Sequence, residues 1–396
     1  MISVQEASAI ILAHKLIFPV EELAISAVHE KVLAEAIQAD RDFPPYNRVA
    51  MDGIAIQYQA YQSGQRTFQI AGVQRAGEAA KKINKANTCL EVMTGAVLPE
   101  GADTVIRYED VSIADGSATV RIENVQAGSN VHEKGADKKA ETVLMQAGTI
   151  LSAAEIAVLA SVGKSKVKVF ASPKIAIVST GDELVEIEAQ PLPHQIRRSN
   201  SYALQAALKN LQIDASLFHL ADDEALMQKA FEDLIQNFDV LLISGGVSKG
   251  KFDFIPRVLE ANGIVKHFHG VAQKPGKPFW FGTGKSKVVF ALPGNPVSTY
   301  LCFHKYILPW IHACRGTKAQ TQYAQLAADF QLKDSSLTYF LQVKVSNENG
   351  ILKAYAVPGG GSGDHANLLE VDGFLELASG KASFSAGSSY PLLIFR

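Results

Sequence analysis

Val240-Leu241-Leu242-Ile243-Ser244-Gly245-Gly246-Val247-Ser248-Lys249-Gly250-Lys251-Phe252-Asp253 reads as a short buried strand running into a glycine-rich loop. Gly245 and Gly246 let backbone N–H groups approach a phosphate closely, Lys249 and Lys251 supply positive charge, and Asp253 opens the next helix or holds a metal. A glycine pair after a strand is also the ordinary chemistry of a tight turn. The surrounding pattern decides between the two.

Working outward, buried strands alternate with amphipathic helices from about residue 173 to 315. Lys174 to Val178, Ala215 to Leu220, Val240 to Ile243 and Lys287 to Leu292 read as strands. Between them lie helices at Asn200 to Leu211, with Leu204, Leu208 and Leu211 on one face, at Asp222 to Asn237, with Leu226, Ala230 and Leu234 inward, at Phe254 to Ala261, and at Pro296 to Ala313. Such an order predicts a three-layer αβα domain built on a parallel-rich sheet covered on both faces.

The flanks read differently. Residues 1 to about 40 are expected to be helical, with Ile10, Ile11 and His14 on one face, Ser3 and Glu6 as a capping box, and a second, weaker helical element over Ala24 to Ile37. Phe43-Pro44-Pro45-Tyr46-Asn47 breaks that pattern and opens a strand-rich segment, 41–137, punctuated by turns such as Asp115-Gly116. Residues 138–172 return to an extended run and a helix near Ala153 to Ser161, so 41–137 reads as an insertion into an outer helical and extended domain, 1–40 with 138–172. The αβα domain takes 173–315. The tail, 316–396, is a small β domain with Asn349-Gly350 as a type I′ hairpin turn.

The 396 residues are 47% apolar with a formal charge of −2, so no global field draws the chain to nucleic acid or anionic lipid. Any anion site must be local. Cys89, Cys302 and Cys314 lack zinc-site spacing and would leave one thiol unpaired in an oxidising compartment, which suits a cytoplasmic protein. Ile10 to Val20 is interrupted by His14 and Lys15 and fits neither a signal peptide nor a membrane span. The ten histidines show no metal spacing, and His267 and His269 alternate as strand residues do.

In open parallel sheets, ligands bind beyond the carboxyl ends of the strands. Four loops there carry polar residues: Thr180-Gly181-Asp182-Glu183, Asp222-Asp223, the opening loop, and Pro293-Gly294-Asn295-Pro296. Asn295 with Pro296 reads first as a helix cap, and the same helix end offers N–H groups to an anion. Lys274-Pro275-Gly276-Lys277-Pro278 holds two cations between prolines, an arrangement that suits an oxyanion or a solvated turn. Carboxylates at Asp182, Glu183, Asp222 and Asp253 beside lysines suggest magnesium bridging to phosphate, although each acid also suits a helix cap, and for Asp222 the cap reads better.

Taken in order, Phe43-Pro44-Pro45-Tyr46, Ala50-Met51-Asp52-Gly53, Met93-Thr94-Gly95 to Gly101-Ala102-Asp103, Ser179 to Leu184, Gly245 to Asp253, Lys274 to Pro278 and Leu292 to Pro296 resemble the molybdopterin molybdenumtransferase family, which includes the E domain of gephyrin. The resemblance implies an enzyme that takes adenylated molybdopterin and molybdate, inserts the metal into the dithiolene and releases AMP, with Mg2+. It also implies a closed β-barrel at the C-terminus and a homodimer whose site lies between the αβα domain of one subunit and the inserted domain of the other. The molybdopterin adenylyltransferase and acceptor molybdoenzymes are the further partners implied. Two other readings share the fold: a non-catalytic dimeric scaffold and the adenylyltransferase itself.

Carried over position by position, Asp52, Thr94, Glu183, Asp253, Lys274 and Lys277 would be catalytic, with Glu183 and Asp253 at the metal. Gly181, Asp182, Ser199, Asn200, Gly245, Gly246, Ser248, Pro293, Gly294, Asn295, Asp137 and Ser362 would contact the cofactor. The chain departs from the family pattern at Arg198, where an acid is common, at His132 and Glu133, where arginines are common, and at Ala221, which replaces an arginine.

Overall fold

A computed structural model describes residues 1–247, 254–317 and 321–396. Lys249, Lys251 and the expected site residues Ser248 and Asp253 lie outside the described residues. The chain divides into two compact units, one formed by Met1–Ala34, Ala147–Ala153 and Lys166–Arg396, the other by Glu35–Gln146 and Ala154–Ser165.

Helix α1 (Val4–Ala13) opens the first unit. It starts at the expected capping box, in which Glu6 N–H donates to Ser3 Oγ at 3.1 Å and Ser3 N–H donates to Glu6 Oε2 at 2.7 Å. The central sheet contains β1 (Ile175–Thr180), β2 (Ala215–Leu220), β3 (Val240–Ser244), β4 (Val265–His269), β5 (Trp280–Gly284) and β6 (Lys287–Leu292), in the order β2-β1-β3-β6-β5-β4. Strands β2, β1, β3 and β6 are parallel, because helices α2 (Asn200–Lys209), α3 (Glu224–Asn237) and α4 (Ile255–Ala261) supply crossovers. A two-residue turn joins β5 to β6, pairing Gly284 with Lys287, and so tight a link permits only antiparallel pairing. One sheet face packs Ile177, Leu242 and Phe290 on α1, α2 and the last helix, and the other packs Val178, Leu241 and Ile243 on α3 and α4. The result is the expected αβα sandwich.

The last helix is continuous from Pro296 to Cys314 but widens to a π-turn over Phe303–Ile307. Pro309 explains the change, since it lacks the N–H that an α-helical bond to residue 305 requires. Beyond it, Gln322–Leu326, Thr338–Glu348, Ile351–Ala356, Gly373–Leu377 and Ser389–Ile394 form a closed barrel, because Thr338–Glu348 pairs with both Ile351–Ala356 and Gly373–Leu377. Asn349 (φ 53°) and Gly350 (φ 85°) form the two-residue hairpin turn with the positive angles that type I′ demands.

In the second unit, a six-stranded sheet runs in the order Thr104–Arg107, Gly53–Ile56, Thr88–Val92, Thr67–Gln74, Ser117–Val120, Val111–Ala114. Its core holds Ile54, Ile56, Phe68, Cys89 and Ile106.

Two expectations about helices fail here. Ala24 to Ile37 is not a second helix: Val20–Ala24 is a strand paired with Lys166–Phe170, and only Ile25–Ala27 makes a 3-10 turn. Its β-branched residues suit extended backbone, and Glu30, at φ 63°, sits in a conformation no right-handed helix contains. On α3 the buried stripe is Met227, Phe231 and Leu234, with Leu226 64% exposed, a rotation of the face by one position. Among the described residues, no helix is long and apolar enough to cross a membrane.

Candidate functional site

The carboxyl ends of the parallel strands open into a cleft of about 560 Å³. Its lining comes from each of the loops singled out by composition: Ser179, Thr180, Gly181 and Glu183 after β1, Asp222 after β2, Ser244 to Val247 after β3, and Pro293 to Pro296 after β6. Arg197, Arg198, Ser199 and Asn200 close one side, and Pro278 and Gly363 also face it.

Close backbone approach fixes the glycines. Gly245 has φ 104°, and a Cβ there would stand 2.7 Å from the Thr180 carbonyl oxygen. Asn200 ties the loops together: its amide donates to Ser244 Oγ at 2.9 Å and to Gly294 O at 2.7 Å. Its role in this geometry is to hold the cleft wall. Ser199 occupies the N-cap position of α2 without a side-chain capping bond.

The acids separate in role. Glu183 lines the cleft and its carboxylate folds over Gly181, which has no Cβ to block it. Asp182 turns to the backbone, accepting from Asp222 N–H at 3.0 Å. Asp223, rather than Asp222, caps α3, accepting from Leu226 N–H at 2.9 Å, which leaves Asp222 in the cleft lining. Among the described residues, no group of three or more His, Cys, Asp or Glu side chains is arranged to hold a metal.

Asn295 stands at the N-cap position but makes no capping bond; its amide donates to Ser362 Oγ at 2.8 Å. These two expected residues are therefore brought together, the glycine-rich turn reaching the last helix of the αβα domain. Lys274 lies in a two-residue strand paired with Thr338–Tyr339 of the barrel sheet, its Nζ 5.9 Å from the Tyr339 ring centroid. Lys274 and Lys277 both act on Asp334, whose carboxyl is held below its usual range chiefly by Ser336 and further by these two cations. Neither lysine is part of the cleft lining, which their neighbour Pro278 reaches.

In the second unit, Asp52 Oδ1 accepts both the hydroxyl and the backbone N–H of Thr94, each at 2.6 Å. The Thr94 hydroxyl, then its N–H, keeps the Asp52 carboxyl below the usual range, although Asp52 is exposed. Gly53 explains how the segment fits, since a Cβ there would clash with the Ile106 carbonyl of the adjacent strand. Asp137 Oδ1 lies 2.9 Å from His132 Nε2, and His132 Nδ1 lies 3.0 Å from Arg48 Nη2. Because Arg48 can only donate, His132 accepts at Nδ1 and carries its proton toward Asp137.

Sequence reasoning omitted Ser179, Thr180 and Ser244 from the expected site residues. The signal that could have found them was present: each is a hydroxyl residue ending an otherwise apolar strand.

These features define a multidomain αβα protein with a strand-end cleft. Family models of the MoeA N-terminal region (domains I and II), a probable molybdopterin binding domain and the MoeA C-terminal region (domain IV) match residues 2–163, 176–313 and 323–395. A molybdopterin molybdenumtransferase of Synechocystis is 43% identical over 99% of both chains, and one of Haemophilus influenzae is 31% identical over 93% of this chain and 92% of that one. The crystal structure of a molybdopterin biosynthesis MoeA protein from Pyrococcus horikoshii superposes with a TM-score of 0.86 at 29% identity, covering 100% of this chain and 99% of that one. The chain belongs to the molybdopterin molybdenumtransferase (MoeA) family.

Proposed function

We infer that this chain is a molybdopterin molybdenumtransferase, which inserts molybdate into adenylated molybdopterin and releases AMP. The observation that carries this reading is the coincidence of an end-to-end family match with a cleft of about 560 Å³ at the carboxyl ends of the parallel strands. A nucleotide-bearing substrate suits that position, with Gly245 and Gly246 allowing close approach to phosphate and Asn200 fixing the loops around it.

Release of AMP breaks a phosphoanhydride, so negative charge grows on the leaving phosphate oxygen and must be met by cations or N–H donors. Magnesium needs only one or two carboxylates beside substrate phosphates and water, a donor set that Glu183 and Asp222 of the cleft fit, with Asp253 the further acid expected from sequence. When bound, the ion would supply charge neutralisation at the phosphate. Lys274 and Lys277 are proposed to attract the molybdate dianion. Asp52, held ionised by Thr94, and Asp137, oriented by His132, are proposed to complete the site from the second unit of a partner copy, in a homodimer. The three unpaired, buried cysteines support a reducing, cytoplasmic setting.

The test is AMP release from adenylated molybdopterin, followed chromatographically with and without molybdate. Molybdate-dependent release by the wild type, abolished in Asp52→Ala with unchanged thermal unfolding, is the expected result; no release by the wild type, or full turnover in the variant, would overturn the reading or the site respectively.

A further inference from the structure

Among the described residues, Arg198 is placed as no other cation of the cleft lining is. It follows the short strand Ile196–Arg197, its N–H donates to Val185 O at 3.1 Å, and its side chain lines the cleft while only 11% exposed. One edge of the guanidinium meets Glu186, with Nη2 at 2.5 Å from Oε2, and the group lies 5.8 Å from the Tyr202 ring centroid. Its Nε is buried and has no partner among the described residues. Neighbouring Arg197, by contrast, is exposed and gives its Nε–H to Ala189 O at 3.1 Å.

A guanidinium has five N–H donors in a rigid fork, and one carboxylate does not exhaust them. Glu186 is itself 52% exposed, so water screens it and it neutralises Arg198 only partly. Thr180 Oγ1, which also lines the cleft, is a second buried polar atom without a partner among the described residues. Leaving such buried atoms unmet is costly, and the guanidinium hydrogens that Glu186 does not take are the donors the fork can offer to a ligand with acceptor oxygens. The cleft also carries Glu183 and Asp222, which repel any phosphate. A phosphate enters such a place only with compensating positive charge, from a metal ion or from the protein.

We propose that Arg198 binds a phosphate oxyanion of the nucleotide part of the substrate, and that this fixed cation makes nucleotide binding in the cleft largely independent of a divalent ion. The proposal rests on the transferase reading of the cleft. Glu186 acts as a positioning residue, holding one edge of the fork while competing with the phosphate for the charge.

The test is calorimetric binding of AMP to the full chain, in EDTA and in magnesium. The wild type should bind with similar affinity in both. Arg198→Ala should bind about tenfold more weakly in EDTA, the loss expected for a charge-assisted contact, and recover with magnesium. Arg198→Asp should bind only with magnesium. Glu186→Gln, a substitution at an exposed carboxylate, gives a measurement independent of whether the Arg198 variants fold: it should tighten AMP binding in EDTA. Equal affinity of wild type and Arg198→Ala in EDTA, a wild type that needs magnesium, or no tightening in Glu186→Gln would overturn the proposal while leaving the transferase reading in place. Failure of the wild type to bind AMP under either condition would overturn both.

Discussion

Gly245 offers the sharpest test of how the cleft is built. Its φ of 104° is strained for any residue with a Cβ, and a Cβ there would meet the Thr180 carbonyl oxygen at 2.7 Å and Thr180 Oγ1 at 2.8 Å. Thr180 ends β1, so its carbonyl cannot swing away without disturbing the pairing of β1 with β2. Gly263 is the control: its φ is 78° and a methyl group there would have nothing within 4 Å, so Ala at that position meets strain alone. Left-handed backbone costs about 1–2 kcal/mol in either variant, and overpacking against a fixed backbone adds about 1–3 kcal/mol in Gly245→Ala only. Urea unfolding reads the difference, because Trp280 and Trp310, the two tryptophans of the chain, are both fully buried around the central sheet. With a slope of about 2 kcal/mol per molar urea, the midpoint of Gly245→Ala should fall about 1 M below that of Gly263→Ala. Coincident midpoints would refute the claim that Gly245 is required by close approach to Thr180.

Three further outcomes follow from buried or bonded groups. His304 is buried with both ring nitrogens unpartnered among the described residues, and burial lowers its pKa to about 4, so the unfolded chain takes up its proton first as pH falls. Its contribution to stability is intact above about pH 6.5 and is lost from there down toward pH 4, at roughly 1 kcal/mol per pH unit, and His304→Phe should flatten that part of the pH–stability curve; an unchanged slope counts against the assignment. Thr94→Val removes the larger of the two bonds that depress the Asp52 pKa, so the Asp52 carboxyl carbon should titrate at higher pH by NMR, and an unmoved midpoint would contradict the pairing. Burial raises the pKa of Cys89 and Cys302 to about 12 and of Cys314 to about 11, so iodoacetamide at pH 8 should leave all three unmodified in the native protein and label all three in urea, as mass spectrometry would register.

The fold was legible where the signal is local. Apolar runs such as Val240 to Ile243, closed by glycine or a hydroxyl residue, mark both a buried strand and the end at which a ligand sits. The two-residue turns at Asp115-Gly116 and Asn349-Gly350 need positive φ at both positions, which few residue pairs accept. Features set by distant chain were not legible. Which face of α3 is buried depends on Phe231 and Met227 meeting the sheet, and the extended run at Val20–Ala24 depends on a partner strand beginning at residue 166.

The same distinction governs the site. Composition could place Asn295 and Asp182 in loops at one sheet edge and Asn200 at the start of a helix, because position along the chain fixes that much. It could not assign their bonds, since Asn200 reaches Gly294 across 94 residues and Asn295 reaches Ser362 across 67. Asn295 shows the consequence most clearly: every local rule makes it a helix cap, yet its amide N–H donates to a hydroxyl of the barrel domain and its side chain makes no capping bond. Local chemistry selects the residues that can serve a polar cleft, and long-range packing selects which of them face a ligand and which brace its walls. By that criterion Arg198, which lines the cleft with one edge of its fork braced by Glu186, belongs to the side that faces the ligand.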